Sequence, residues 1–239
     1  MLVMVPGLMC DSRIFAVQLA GFSQAVTADY GDADSLPEMA RRVLGQAPAS
    51  FALLGHSMGS RVALEIYRQA PQRVERLALL STGVHPLRPG EREKRHALRD
   101  IGRESGMAAL VDAWLPPMIG QAPSRNPDLV RRLRNMCIDA GLARFETQIS
   151  ALLGRPEVDS ILPRIDVPTL VAVGNEDRWA PPEQHAEFAA RIPDARFVVI
   201  NGAGHMLPAE GPDQLNAAIA EWLGAPTVKE IDSEETIDE

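Results

Sequence analysis

The chain has 239 residues, 46% of them hydrophobic, and a formal net charge of −8 at pH 7. One α/β domain can be this long and can bury a large core. Because basic residues are not in excess, the charge argues against nucleic acid as a partner. No apolar run approaches the roughly 18 residues of a membrane-spanning helix, so no membrane association is expected.

The N-terminal half alternates buried-type strands with amphipathic helices. Strands are predicted at 1–5, 25–30, 50–54 and 74–80, and helices at 14–21, 35–46 and 58–70. Ser35 and Glu38 have the spacing of a capping box at the start of the second helix. This alternation indicates a parallel sheet covered on both faces, in which ligands bind beyond the carboxyl ends of the strands.

The alternation breaks between about 84 and 165, where helices are predicted at 92–103 and 127–153. Strands return at 168–173 and 196–200, and a last helix is predicted at 212–223. Several large apolar residues of the interrupting segment are candidates to line an acyl or ring pocket, although ordinary packing between helices is the favoured interpretation for any single one of them: Trp114, Leu115, Met118, Met136, Phe145 and Ile149. The segment is also rich in arginine, and one of these could hold a substrate carboxylate, but the sequence does not say which.

The turn between the third strand and the third helix reads Gly55-His56-Ser57-Met58-Gly59, which fits G-x-S-x-G. A serine in such a sharp turn adopts a strained backbone, and glycines beside it allow the strand and the helix to approach closely. The turn also places the hydroxyl of Ser57 at a helix N-terminus, where developing negative charge is favoured. Ser57 is therefore the candidate nucleophile.

A nucleophilic serine needs a base, and the base needs an acid to orient it. Asp177 follows the strand 168–173, and His205 lies on a glycine-flanked loop after the strand 196–200. The chain order is Ser57, Asp177, His205. Glu176, beside Asp177, is an alternative acid. His56 is interpreted as a packing residue of the turn rather than as a base.

These motifs, in this order, resemble the α/β-hydrolase superfamily over most of residues 1–224. The resemblance rests on Gly-His-Ser-Met-Gly at 55–59, on Gly-Asn-Glu-Asp-Arg-Trp-Ala-Pro-Pro at 174–182 and on Gly-Ala-Gly-His-Met at 202–206. It implies a catalytic triad of Ser57, Asp177 and His205. It also implies that the amides of Leu8 and Met58 form the oxyanion hole, although Pro6 replaces the usual histidine before Gly7.

The resemblance also implies an architecture. Relatives usually carry a β-hairpin before the first strand, which this chain lacks room for, so we expect an α/β-hydrolase fold with about six mostly parallel strands in the order 2-1-3-4-5-6. Residues 1–83 and 166–225 would form the core, and 84–165 an inserted helical cap. Residues 226–239 form an acidic tail, which composition predicts to be disordered.

The resulting prediction is a serine hydrolase that cleaves a small-molecule carboxylic ester or lactone, similar to carboxylesterases and 3-oxoadipate enol-lactonases. It needs no cofactor, and His85, His96 and His185 have no ligand-like spacing, so no metal site is expected. Two alternatives stay open, namely a carbon–carbon bond hydrolase of a dioxo acid and a ligand-binding protein without turnover. Cys10 and Cys137 fit free thiols in a reducing compartment, and no signal peptide is apparent, so a cytoplasmic location is expected.

Overall fold

The computed structural model describes residues 1–224, except the side chain of Pro123. The acidic tail predicted at 226–239 lies outside the described residues. Within 1–224, no helix is both long and apolar enough to cross a membrane.

The centre of the molecule is a parallel sheet whose six strands are ordered β2-β1-β3-β4-β5-β6. Every pairing between neighbouring strands is parallel. This confirms the predicted fold and strand order. The second strand is shorter than predicted, and the third starts one residue later and ends two residues later. The strands are β1 (Leu2–Val5), β2 (Ala25–Thr27), β3 (Phe51–His56), β4 (Val74–Leu80), β5 (Thr169–Gly174) and β6 (Arg196–Ile200).

The strands at the centre of the sheet are apolar on both faces because helices cover both faces. Every residue of β3 and β5 is buried, and Leu53, Leu79 and Val171 are 0% exposed. Burying each such side chain contributes about 1.5–3 kcal/mol relative to exposure. The helices are α1 (Ala16–Gly21), α2 (Leu36–Gln46), α3 (Met58–Gln69), α4 (Glu91–Trp114), α5 (Gln121–Ser124), α6 (Pro127–Leu153), α7 (Pro182–Ala189), α8 (Leu207–Glu210) and α9 (Pro212–Gly224).

The capping box predicted at the start of α2 is wrong. Ser35 is the N-cap residue, but its side chain makes no capping hydrogen bond. Glu38 instead pairs with Arg41 at 2.6 Å and with Arg42 at 3.3 Å. The two arginines, three and four residues further along the helix, draw the carboxylate away from the cap.

The segment between β4 and β5 consists of α4, α5 and α6, and α4 packs along α6. Helix α4 consists of two helical segments that meet at a kink at Gly106, whose backbone is not helical (φ 83°, ψ 169°). The first segment therefore ends close to the predicted end at 103, and the second continues to Trp114. Gly141 (φ 76°) kinks α6 in the same way. The role of this segment as a cap stays a prediction.

Candidate active site

Ser57 occupies the strained turn between β3 and α3. Its backbone has φ 56° and ψ −117°, and its amide donates to the carbonyl of Leu80 at 2.8 Å. A Cβ atom on Gly59 would lie 2.0 Å from the Val5 carbonyl oxygen, and one on Gly55 would lie 2.4 Å from the Ser60 Cα. Both glycines are therefore required by close backbone approach, as the motif indicated.

The side chains of Ser57, His205 and Asp177 form one hydrogen-bonded chain. Ser57 Oγ lies 2.8 Å from His205 Nε2, and His205 Nδ1 lies 2.8 Å from Asp177 Oδ2. The other carboxylate oxygen of Asp177 accepts hydrogen bonds from the amides of Trp179 and Ala180, at 3.0 and 2.8 Å. Those two amides fix the carboxylate, which in turn orients the imidazole ring.

The charge of Asp177 follows from its surroundings. Burial opposes its ionisation, but the attraction and hydrogen bond of His205 and the amide of Ala180 outweigh burial and lower the pKa of this carboxyl below its ordinary value. Asp177 is therefore a carboxylate at neutral pH. It accepts the Nδ1–H of His205, which leaves Nε2 free to accept the proton of Ser57 Oγ.

Glu176, the alternative acid, points elsewhere. Its Oε2 accepts a hydrogen bond from the amide of Gln121 in α5. Of the two adjacent acids, only Asp177 is hydrogen-bonded to His205. His56 Nε2 lies 2.8 Å from the carbonyl oxygen of His205. Burial, together with the nearby His205, lowers the pKa of His56 to about 3, so this ring is neutral and supports the loop of His205.

Leu8 and Met58, whose amides are the predicted oxyanion donors, lie at the same site. Both residues line one cavity together with Ser57 and His205. Within residues 1–224, the Leu8 amide donates no hydrogen bond, and the Met58 amide begins α3, where helical amides have no intrahelical partner. Both donors are thus available, and their role in binding an oxyanion stays a prediction.

The conformation of the loop that carries Leu8 depends on α6. Met9 has a left-handed backbone (φ 56°), and its amide donates to Oε1 of the buried Gln148 at 2.9 Å. A Cβ atom on Gly7 would lie only 3.1 Å from Ser57 Cβ, so this loop runs close to the nucleophile. The sequence analysis missed Gln148, because the two partners are 139 residues apart and no local pattern marks either of them.

The cavity in front of Ser57 has a volume of about 310 Å³, at the lower end of the range for small-molecule sites. Of the six apolar residues predicted to line it, Trp114 and Met118 do. The other four do not line it and are buried in the hydrophobic core, as ordinary packing between helices predicts: Leu115, Met136, Phe145 and Ile149. The cavity wall is not purely apolar, because charged residues of α3 and α4 line part of it.

Arginine and glutamate side chains form a network at the wall of this cavity. Arg155 binds Glu91 through two hydrogen bonds, at 2.8 and 2.7 Å, and Arg95 binds the same carboxylate at 2.9 Å. Arg61, four residues after Ser57, donates to the His85 carbonyl at 2.6 Å. Sequence analysis named none of these residues. The available signal was the position of Arg61 in α3, one helical turn after Ser57.

His85 and His185 form hydrogen bonds within the protein, and the two cysteines are free thiols. His185 Nε2 accepts the Thr82 amide at 2.8 Å, and His85 Nδ1 lies 2.9 Å from the Pro86 carbonyl. Within the described part of the chain, no three His, Cys, Asp or Glu side chains are grouped to hold a metal ion. Cys10 and Cys137 are buried, unpaired thiols. Burial raises the pKa of Cys10 well above its ordinary value, so this thiol is un-ionised at neutral pH.

Known proteins are similar to this chain in sequence and in fold. The sequence profile of the alpha/beta hydrolase family matches residues 3–218. A 2-hydroxy-6-oxononadienedioate/2-hydroxy-6-oxononatrienedioate hydrolase from Cupriavidus pinatubonensis is 29% identical over 180 residues. That alignment covers 72% of this chain and 61% of the relative, so this chain spans less than two thirds of that relative's length.

Two solved structures superimpose on most of the chain. A thermophilic esterase from Thermogutta terrifontis, determined with malate bound, gives a TM-score of 0.82 at 28% identity and covers 93% of this chain and 88% of its own. An enol-lactonase from Burkholderia xenovorans LB400 gives 0.83 at 25% identity and covers 94% and 91%. The profile match spans nearly the whole described chain, and the sheet order and strained serine turn agree with it. The protein therefore belongs to the α/β hydrolase family.

Proposed function

We propose that the protein is a serine hydrolase that cleaves a small-molecule carboxylic ester or lactone. The observation that carries this proposal is the hydrogen-bonded chain from Ser57 through His205 to Asp177, which opens into a cavity beside two available backbone amides. Nucleophile, base, orienting acid and oxyanion donors are the parts that acyl transfer requires.

In the proposed reaction, Ser57 Oγ attacks the carbonyl carbon while His205 Nε2 takes the hydroxyl proton. The amides of Leu8 and Met58 bind the oxyanion, and each such donor is worth roughly 10²–10³ in kcat. His205 then protonates the departing alkoxide, which leaves an acyl-enzyme on Ser57. A water molecule, deprotonated by His205, attacks the acyl carbon and releases the acid. With a lactone, the alcohol stays attached to the acyl group.

Similarity to an esterase and to an enol-lactonase supports this choice, since one acyl-enzyme route serves both reactions. A second candidate is hydrolysis of a carbon–carbon bond in a dioxo acid. It is favoured by the similarity to a hydrolase named for a dienedioate substrate and by the arginines of the cavity, which suit carboxylate groups. The same three residues would serve either reaction.

The test is hydrolysis of a panel of short-chain p-nitrophenyl esters, simple lactones and a vinylogous diketone acid, with Ser57→Ala as the variant. We expect turnover of an ester or lactone, and a loss of roughly 10⁴- to 10⁶-fold in Ser57→Ala. Ser23→Ala is the matched control. Ser23 is exposed and lies before β2, at the amino ends of the strands, whereas Ser57 lies at their carboxyl ends.

Other outcomes separate the alternatives. Turnover of the diketone alone would favour the carbon–carbon hydrolase. Tight binding of a panel member without product would favour a binding protein. Ester hydrolysis that survives intact in a folded Ser57→Ala protein would overturn the assignment of the nucleophile.

A further inference from the structure

The wall of the cavity carries a charge opposite to that of the whole chain. The chain has a net charge of −8, yet among residues 1–224 Glu91 is the only acidic one that lines the cavity. The cationic lining residues are Arg61, Arg88, Lys94, Arg95, Arg155 and Arg178. A concave site lined by one sign of charge concentrates ligands of the opposite sign.

Glu91 compensates two of these cations. Both of its carboxylate oxygens bind Arg155, and Oε1 also binds Arg95. Arg155 donates in addition to the carbonyls of Leu152 and Pro86, so most of its donors are used within the protein. These contacts join α4 to the residues just after α6. They fix the positions of both arginine side chains at the cavity wall.

Arg61 has no such partner. Arg61 lies one turn into α3, near the N-terminal end of the helix, which follows Ser57, and is only 5% exposed. Its Nη2 donates to the His85 carbonyl. Within residues 1–224, no carboxylate oxygen lies within 4.0 Å of its guanidinium nitrogens.

A buried cation that no carboxylate contacts directly is costly to the fold. Burial and repulsion from Arg155 lower the pKa of Arg61 to about 9, against the longer-range attraction of Glu91 and Asp159, and the side chain stays protonated at neutral pH. Because Arg61 lines the cavity, an anion bound there can contact its guanidinium.

Ser81 adds an independent observation at the same cavity. It follows β4, next to the nucleophile turn, and has a left-handed backbone (φ 44°). Its residue is 0% exposed, and its Oγ has no hydrogen-bond partner among the described residues. An orphaned buried hydroxyl that lines a cavity is a group that a polar ligand atom would satisfy.

We propose that the substrate carries a carboxylate group in addition to its scissile bond, and that Arg61 binds this carboxylate while Ser57 attacks. This rests on the proposed function and narrows its substrate class to half-esters of dicarboxylic acids and related lactone acids. A guanidinium that no carboxylate contacts matches one singly charged carboxylate. Side chains one helical turn apart have Cβ atoms about 5–6 Å apart, so Arg61 is close enough to Ser57 for both to contact one small molecule.

The test compares monomethyl and dimethyl esters of the same dicarboxylic acids, from succinate to suberate, followed by proton release. The two members of each pair differ in one carboxylate charge and one methyl group. We expect wild-type kcat/KM to favour the monomethyl ester at one chain length. In Arg61→Met, the ratio of monomethyl to dimethyl kcat/KM should fall about 10- to 100-fold, the value of a charge-assisted hydrogen bond.

Two further variants control this result. Arg61→Lys keeps the charge and should retain part of the preference. Arg132→Met removes an exposed arginine of α6 and should leave the ratio unchanged. If Arg61→Met does not fold, Arg61→Gln and Arg61→Lys provide the same comparison. A wild-type preference for the neutral diester at every chain length, or an unchanged ratio in a folded charge-removing variant, would overturn the proposal.

A binding measurement separates this inference from the proposed function. Calorimetry on Ser57→Ala should detect glutarate or adipate, and Arg61→Met in the same background should abolish that binding. Dicarboxylate binding without ester turnover in the wild type would contradict the proposed function and leave the anion site standing. Ester turnover with no dicarboxylate binding and no charge preference would support the proposed function and contradict the anion site.

Discussion

The backbone amide of His205 donates to the carbonyl oxygen of Met118 at 2.7 Å. This bond joins the loop that carries the proposed base to the segment between β4 and β5. Glu210 strengthens the same junction, because its carboxylate accepts the amides of Gly120, Gly204 and Met206 at 2.7, 3.0 and 2.7 Å. The position of the histidine therefore depends on contacts with the helical segment as well as on Asp177.

Glu210→Gln should loosen this junction. An amide has one acceptor oxygen where the carboxylate has two, so at least one of the three backbone amides loses its partner. We expect unfolding free energy to fall by about 1–3 kcal/mol and kcat to fall about 10-fold, as roughly expected for a misplaced base. Urea unfolding and steady-state kinetics measure the two effects. Glu183→Gln, an exposed change at the start of α7, is the control.

Asp177→Asn and Glu176→Gln should show which of the two adjacent acids orients His205. An asparagine cannot hold the required tautomer of His205, and an equivalent change in a serine protease costs about 10⁴ in kcat. Glu176→Gln should cost less than about tenfold, since its oxygen contacts only the Gln121 amide and an amide oxygen still accepts that bond. Steady-state kinetics on the best ester of the panel compares the two. Equal losses in both variants would contradict the assignment of Asp177.

Gln148→Leu should act through the loop that carries Leu8. The variant removes the acceptor of the Met9 amide while it keeps a similar volume, so the loop loses a fixed point beside the proposed oxyanion donor. Since an oxyanion donor acts in the transition state, kcat should fall about 10-fold or more with little change in KM. Gln148→Glu keeps an acceptor and should retain more activity. Gln72→Leu, at an exposed site, controls for the loss of a glutamine.

The ion pairs of Glu91 should make stability depend on acid pH. Burial opposes ionisation, but the hydrogen bonds from Arg155 and Arg95 outweigh it and lower the pKa of Glu91 from 4.5 to about 2. The folded-state pKa lies below the unfolded one, so the stabilisation is fully present above pH 4.5 and is lost as the pH falls toward 2.

Urea unfolding across this range, for the wild type and Glu91→Gln, measures the effect. The difference in unfolding free energy should be constant above about pH 5.5 and should shrink in more acid solution. Glu93→Gln, an exposed neighbour on α4, should show no such trend. A difference that is the same at every pH would show that Glu91 contributes through packing alone.

The parts of the site that sequence predicted are those with local signals. Ser57 is marked by glycines that close backbone contacts require, and Asp177 and His205 each follow a recognisable strand. Gln148 and Arg61 carry no such mark. The partner of Gln148 is on the first loop of the chain, and the exposure of Arg61 to the cavity depends on how α4 and α6 pack. Long-range side-chain contacts of this kind are set by tertiary packing, which periodicity and spacing do not encode.

The same limit explains why the sequence could not show which apolar residues line the cavity. Phe145 and Ile149 are large apolar residues of the inserted segment, and such residues suit a pocket wall and a core equally well. The folded chain places them in the core. The charged part of the cavity wall comes instead from Arg61, Arg95 and Arg155, and exposed charged residues are so common in sequences that their charges alone did not mark them.

The pairing of Leu80 with Ala172 in the sheet has a kinetic consequence. All of α4, α5 and α6 lie between these two residues, so folding must close a long loop before β5 can dock beside β4. Ser57 precedes this loop, whereas Asp177 and His205 follow it. During refolding, enzymatic activity should therefore appear only after the two halves of the sheet have joined, later than the helical signal of the individual segments.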